Sequence, residues 1–145
     1  MFGHPHLSIS KIRKDSFVNV FKTKAPKTSF SIDYPENPAA SREAAIAALT
    51  GARPPDVIFC MGDLILIGVM KAIHELNLKV PEDVAVIGIS NGFIPTMYNP
   101  TVTYVETSGF KLGKLAFTQM LARLKNETVS EIVCVGSMLV KGGSL

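Results

Sequence analysis

Apolar side chains recur along this chain in two alternating spacings. Residues 9–24 place Ile9, Ile12, Phe17, Val20 and Phe21 at helical intervals, with Ser8 or Ser10 as the expected N-cap. Residues 30–34 alternate like a short strand. Asn37 followed by Pro38 has the form of an N-cap and a first helical residue. Ala40, Ala44, Ala48 and Leu49 carry that helix to a stop at Gly51. Residues 56–61 are then almost unbroken apolar, the pattern of a strand covered on both faces. Asp63 stands where the next helix must start, its carboxylate placed to cap free N–H groups. Ile65, Val69, Ala72, Ile73 and Leu76 form one stripe of that helix, and a second apolar run spans residues 84–89. Strand, helix and strand within about 35 residues are the length of a βαβ unit, whose crossover is right-handed.

Beyond it, Ser90-Asn91-Gly92 reads as a turn and an irregular piece leads to Asn99-Pro100. Residues 101–105 predict a strand, and 110–125 a long helix that is apolar on more than one side. Residues 132–135 and 138–140 predict short strands, with Gly142-Gly143 as a frayed end. The order predicts one α/β domain over residues 1–145, with a mostly parallel sheet flanked by helices on both faces.

Composition narrows the class. Apolar residues make up 47% of the 145 and charged residues 19%, which excludes a disordered chain. No apolar run is long enough for a transmembrane helix, and residues 1–14 lack the apolar core of a signal peptide, so the chain reads as cytoplasmic. Two cysteines make no disulfide framework. A net charge of +3, scattered along the chain, points neither toward nucleic acid nor away from it.

Several motifs carry candidate chemistry. Gly88-Ile89-Ser90-Asn91-Gly92 matches the G-x-S-x-G nucleophile elbow, so a small serine hydrolase using Ser90 is the alternative function. All three histidines (His4, His6, His74) precede Ser90, against the Ser–acid–His order. Pro95 and Pro100 also leave little room for the helix an elbow needs. Cys60 reads as a core thiol, since no base stands beside it. His4-Pro5-His6 lacks a third ligand for a metal, and no Walker A or G-x-G-x-x-G motif suggests a cofactor. On helix 63–76 a second stripe, Leu66, Ile67 and Met70, asks for a second contact. Either the chain itself covers it or it is a protein–protein interface.

Four segments together resemble the effector-binding core of the lactose-repressor/galactose-repressor (LacI/GalR) family of bacterial regulators. Residues 8–17, SISKIRKDSF, are similar to the family's S-x-x-x-x-R-x-x-G-F. Residues 55–73, PDVIFCMGDLILIGVMKAI, are similar to P-D-A-I-F-x-x-N-D-x-x-A-x-G-x-x-x-A-L. Residues 78–88, LKVPEDVAVIG, are close to L-x-V-P-x-D-V-x-V-x-G. Asn99-Pro100-Thr101-Val102-Thr103 with the later Gly113 matches P-P-L-T-T-V…L-G.

The resemblance implies a periplasmic-binding-protein-like lobe with an effector held between two such lobes. It also implies that the helix-turn-helix and the first lobe lie upstream, so operator DNA is contacted only through the missing N-terminal part. It implies a homodimer to which the helix after the N-D pair contributes, with Leu66, Ile67 and Met70 as its interface residues. The ligand-binding residues it suggests are Arg13, Asp63, Ser90 and Asn91. Arg13 matches the effector-contacting arginine. Gly62 replaces the asparagine of the N-D pair, Ser90 an aspartate that grips sugar hydroxyls, and Ser16 the helix glycine. One cation kept and acids lost implies a sugar or sugar-derived effector of more anionic character. The family's helix corresponding to 110–125 crosses back to the first lobe. A periplasmic solute receptor shares the fold but carries a signal peptide.

Overall fold

The computed structural model describes residue 1 and residues 3–145. Among these described residues four main helices and four strands follow one another: α1 (Ser8–Lys24), α2 (Pro38–Leu49), β1 (Val57–Cys60), α3 (Asp63–Glu75), β2 (Ala85–Ser90), a 3-10 helix (Ile94–Met97), β3 (Thr103–Glu106), α4 (Gly109–Leu124) and β4 (Met138–Val140). The strands lie in the order β1-β2-β3-β4. The first three are parallel, and β4 closes the edge antiparallel to β3. The expected mostly parallel sheet is present.

Alternation along the strands decides what each face meets. Ile58, Cys60, Val86 and Gly88 point to one face, and α3 lies on it. A Leu66 methyl sits 3.6 Å from where a Cβ on Gly88 would be. Phe59 points to the other face, where Phe17 of α1 stacks on it with ring centroids 5.5 Å apart and planes 3° from parallel. Helices therefore cover both faces. The core is the layer between α3 and the sheet, where Leu66, Val69, Val84, Val86 and Val102 are fully buried.

α2 packs on the far flank of α3. Asn37 caps it by accepting from the Ala40 N–H at 2.9 Å, and Pro38 follows at the first helical position. The two helices meet at Gly68, and Arg42 reaches across to the Glu75 carboxylate through Nε at 2.8 Å. This contact corrects the reading of the second stripe. Leu66 is 0% and Met70 8% exposed within the single chain, and only Ile67 is half-buried. Leu66 belongs to the core because its position on the helix faces the sheet rather than solvent.

Four other expectations change. α1 begins after Leu7 with no side-chain cap, and Ser10 is buried instead of capping. Residues 30–34 form no strand, because the outer edge of β1 is met by Met1. The Met1 ammonium donates to the Phe59 carbonyl at 2.7 Å, and the Met61 N–H donates to the Met1 carbonyl at 3.1 Å. Phe30 joins the fold through its ring, edge-on to Phe17 and Phe21. Residues 132–135 are irregular, with Ile132 80% exposed. The glycines near the end are packed rather than frayed. The Gly142 N–H donates to Thr103 Oγ1 at 3.0 Å and the Gly143 N–H to the Thr101 carbonyl at 2.9 Å. A Cβ on Gly142 would fall 2.1 Å from that carbonyl oxygen, so only glycine passes there.

α4 starts at Ser108, whose hydroxyl accepts from the Lys111 N–H at 3.2 Å. No residue of α4 is fully buried. Leu115, Gln119 and Ala122 are half-covered on one side, while Phe110, Phe117, Met120 and Leu124 stand in water.

Candidate functional site

Parallel strands all end at the same edge, so the loops after β1, β2 and β3 converge there. They bring Asp63, the pair Ser90 and Asn91, and Glu106 with Thr107 to the carboxyl edge of the sheet. Ser90 and Glu106 are register partners. Open α/β sheets bind ligands at this edge.

Asp63 is the first residue of α3, behind Gly62 in extended backbone (φ 172°). The capping bond expected of its carboxylate is not made. At the first helical position it lies past the spot from which a cap reaches back over the N–H groups. Its Oδ1 is instead buried without a hydrogen-bond partner. A buried carboxylate oxygen left without a donor costs about 1–3 kcal/mol, so a donor supplied at this spot is favoured.

Ser90 is 2% exposed, and its hydroxyl accepts from the Gly92 N–H at 3.0 Å. Its carbonyl accepts from the Thr107 N–H at 2.8 Å. Gly92 has φ of +100°, and a Cβ there would lie 2.8 Å from the Tyr104 hydroxyl, so the turn requires glycine. Asn91 is exposed, and its Oδ1 accepts from the Phe93 N–H at 3.1 Å, which leaves the amide NH2 to the solvent side. Ser90 thus holds its own turn through its acceptor lone pair, while its O–H remains a donor at the carboxyl edge. It lacks a histidine partner among the described residues, and a short 3-10 helix containing Pro95 follows it, so no nucleophile elbow is formed.

Arg13 sits one helical turn before Phe17, on the side of α1 that meets the Phe59 face. Ser90 points to the α3 face with Gly88, so Arg13 and Ser90 hang from opposite sides of the sheet. Arg13 is half-buried, and among the described residues it has no ion-pair or hydrogen-bond partner. Burial alone lowers its pKa, with no carboxylate to offset the desolvation.

The residues missed by sequence reading are Glu106 and Lys111. Lys111 Nζ lies 3.2 Å from Glu106 Oε2, joining the end of β3 to the first turn of α4. Glu106 looked like an ordinary strand residue. Only the register beside Ser90 brings its carboxylate to the loop cluster.

Cys60 is fully buried, and burial pushes its thiol up to about 12, so it stays protonated and inert. Among the described residues no group of three metal-ligating side chains converges, and no helix is long and apolar enough to cross a membrane.

A model of the periplasmic binding protein-like domain matches residues 1–145. The HTH-type transcriptional repressor PurR of Serratia proteamaculans (strain 568) is 33% identical over 92 residues, 63% of this chain and 27% of that protein. A LacI family transcriptional regulator from Bifidobacterium animalis subsp. lactis DSM 10140 superposes with a TM-score of 0.87 at 22% identity. That match covers 98% of this chain and 52% of the other. The dimeric Lac repressor with an 11-residue C-terminal deletion gives a TM-score of 0.89 at 18% identity, over 99% and 53%. The chain thus spans about a quarter of the curated relative and about half of each solved chain.

Proposed function

Because the chain belongs to the periplasmic binding protein-like domain family, we propose that it is the effector-sensing lobe of a LacI/GalR-type, DNA-binding transcription regulator. The observation that carries this reading is a pair of unsatisfied charged groups on a ligand-binding fold. Arg13 is a half-buried cation without a partner, and Asp63 Oδ1 is a buried acceptor without a donor. A sugar-derived effector seated across the carboxyl edge of the sheet, with an anionic group toward Arg13 on the α1 side and a hydroxyl toward Asp63 on the α3 side, satisfies both. Charge-assisted bonds of this kind contribute roughly 1.5–3 kcal/mol each. The exposed amide of Asn91 supplies a further donor. Lys111 does not compete for the anion, since Glu106 already neutralises it.

In this reading the lobe is no enzyme and needs no cofactor. The protein works in the cytoplasm as a homodimer, and a separate part of it contacts operator DNA. Titration calorimetry on the intact protein, with neutral sugars set against sugar acids and sugar phosphates, tests the assignment. The anionic set binds more tightly, and Arg13→Ala weakens it at least tenfold. Tight binding of a neutral sugar that Arg13→Ala leaves unchanged would overturn it.

A further inference from the structure

Residues 90–93 close the turn after β2, and their hydrogen bonds converge on one peptide bond. Asn91 is exposed, and its Oδ1 accepts from the Phe93 N–H at 3.1 Å. A side-chain oxygen bonded two residues on curls that side chain over the peptide between. Here the peptide is Asn91–Gly92, so the Asn91 amide is folded toward the Gly92 nitrogen. The Gly92 N–H in turn donates to Ser90 Oγ at 3.0 Å. Gly92 has no Cβ to block an approach, and its φ of +100° is one that other residues rarely adopt. No other asparagine of the chain precedes a glycine.

We propose that Asn91 is a self-modification site, at which the turn converts the side-chain amide into a carboxylate. The Gly92 nitrogen attacks Asn91 Cγ, and the new N–Cγ bond closes a cyclic imide. Negative charge gathers on Oδ1 during the attack, where the Phe93 N–H already points. A donor in place before the charge develops lowers the barrier. The Gly92 proton leaves toward Ser90 Oγ, whose hydroxyl both accepts and donates and so passes a proton on to solvent. The Cγ–Nδ2 bond breaks, and the NH2 group takes up a proton and departs as ammonia. Water then opens the imide. Addition at Cγ breaks the Cγ–N bond and gives aspartate. Addition at the Asn91 backbone carbonyl carbon breaks the other C–N bond and gives isoaspartate. Nothing is oxidised or reduced, and solvent water is the co-reactant.

Either product puts a carboxylate where a neutral amide stood, at the edge that already carries Asp63 and Glu106. The edge loses a donor and gains a negative charge, so an anionic ligand binds there less well. That consequence rests on the effector reading above, whereas the reaction itself needs no ligand.

Incubation of the folded 145-residue chain at mildly alkaline pH, followed by digestion and mass spectrometry, tests this. The peptide containing Asn91 gains the mass that separates a carboxyl from an amide, no more slowly than in urea. Peptides containing Asn19 and Asn126, both exposed, stay unchanged. Phe93→Pro removes the donor to Oδ1 at a φ of −77° that proline adopts, and slows the reaction about tenfold. Ser90→Ala removes the acceptor of the Gly92 N–H and also slows it, which keeps the test open where the proline variant fails to fold. Conversion confined to the urea-treated chain, spread equally over Asn19 and Asn126, or as fast in folded Ser90→Ala as in the parent would overturn the proposal.

Discussion

Gly68→Ala is a small change that should push two helices apart. An alanine Cβ at that position would lie 2.2 Å from the Pro38 carbonyl oxygen, 2.6 Å from Ser41 Cβ and 2.9 Å from the Arg42 nitrogen. Two of these three atoms are backbone, fixed by the capped first turn of α2, so no rotamer change relieves the overlap. In a helix interior, alanine by itself favours folding by about 1 kcal/mol over glycine. Overpacking against atoms that cannot turn aside costs about 3 kcal/mol, the upper end of its usual range. The net is a loss of about 2 kcal/mol, through α2 being pushed off α3. With a urea slope of about 2 kcal/mol per M, the midpoint falls by about 1 M at unchanged slope. Far-UV circular dichroism in urea reads this directly. Gly113→Ala in α4 is the control, since nothing lies within 4 Å of its Cβ. There only the propensity gain remains, and the helical signal survives to higher urea. A Gly68→Ala protein as stable as the parent would refute the α2–α3 contact.

Three other measurements follow from single side chains. Ser144 is fully buried, donating to the Val86 carbonyl at 2.5 Å and accepting from the Thr103 N–H at 2.8 Å. Ser144→Ala strands both groups, so urea unfolding should register a loss of about 1–3 kcal/mol. A thiol reagent applied to the native protein labels exposed Cys134 quickly and reaches Cys60 only in denaturant. Fast labelling of both would contradict a buried thiol pushed up to about 12. The Arg42 guanidinium, hydrogen-bonded to Glu75, holds that carboxyl below its ordinary value. A depressed folded-state pKa contributes stability above the unfolded pKa and loses it as pH falls through the folded one. Carbon-detected NMR should find Glu75 titrating higher in Arg42→Ala, and an unmoved titration would rule out the pair.

Much of the architecture was legible residue by residue. The apolar runs at 56–61 and 84–89 became β1 and β2 because strands covered on both faces need apolar residues at every position. Asn37-Pro38 started α2 as a local hydrogen bond does, without help from the rest of the fold. Family likeness was legible in the same way, since the matching segments are short and contiguous. The candidate site was legible only in part. Arg13 and Asp63 have the free polar groups a ligand site needs, Ser90 gives an acceptor lone pair to its own turn, and Glu106 went unnoticed.

The division has a physical cause. Spacing and caps act within a few residues, so the amino-acid order alone decides where helices and most strands form. Whether an apolar stripe is covered depends on what arrives from elsewhere in the chain. The stripe 66, 67, 70 split between core and surface once α2 and the sheet closed on α3. Residues 30–34 stayed irregular because a strand needs a neighbour, and Met1 meets the β1 edge. Gly142 and Gly143, which look like a loose end, became packed because the Thr101 backbone and the Pro100 ring leave little room there for a Cβ.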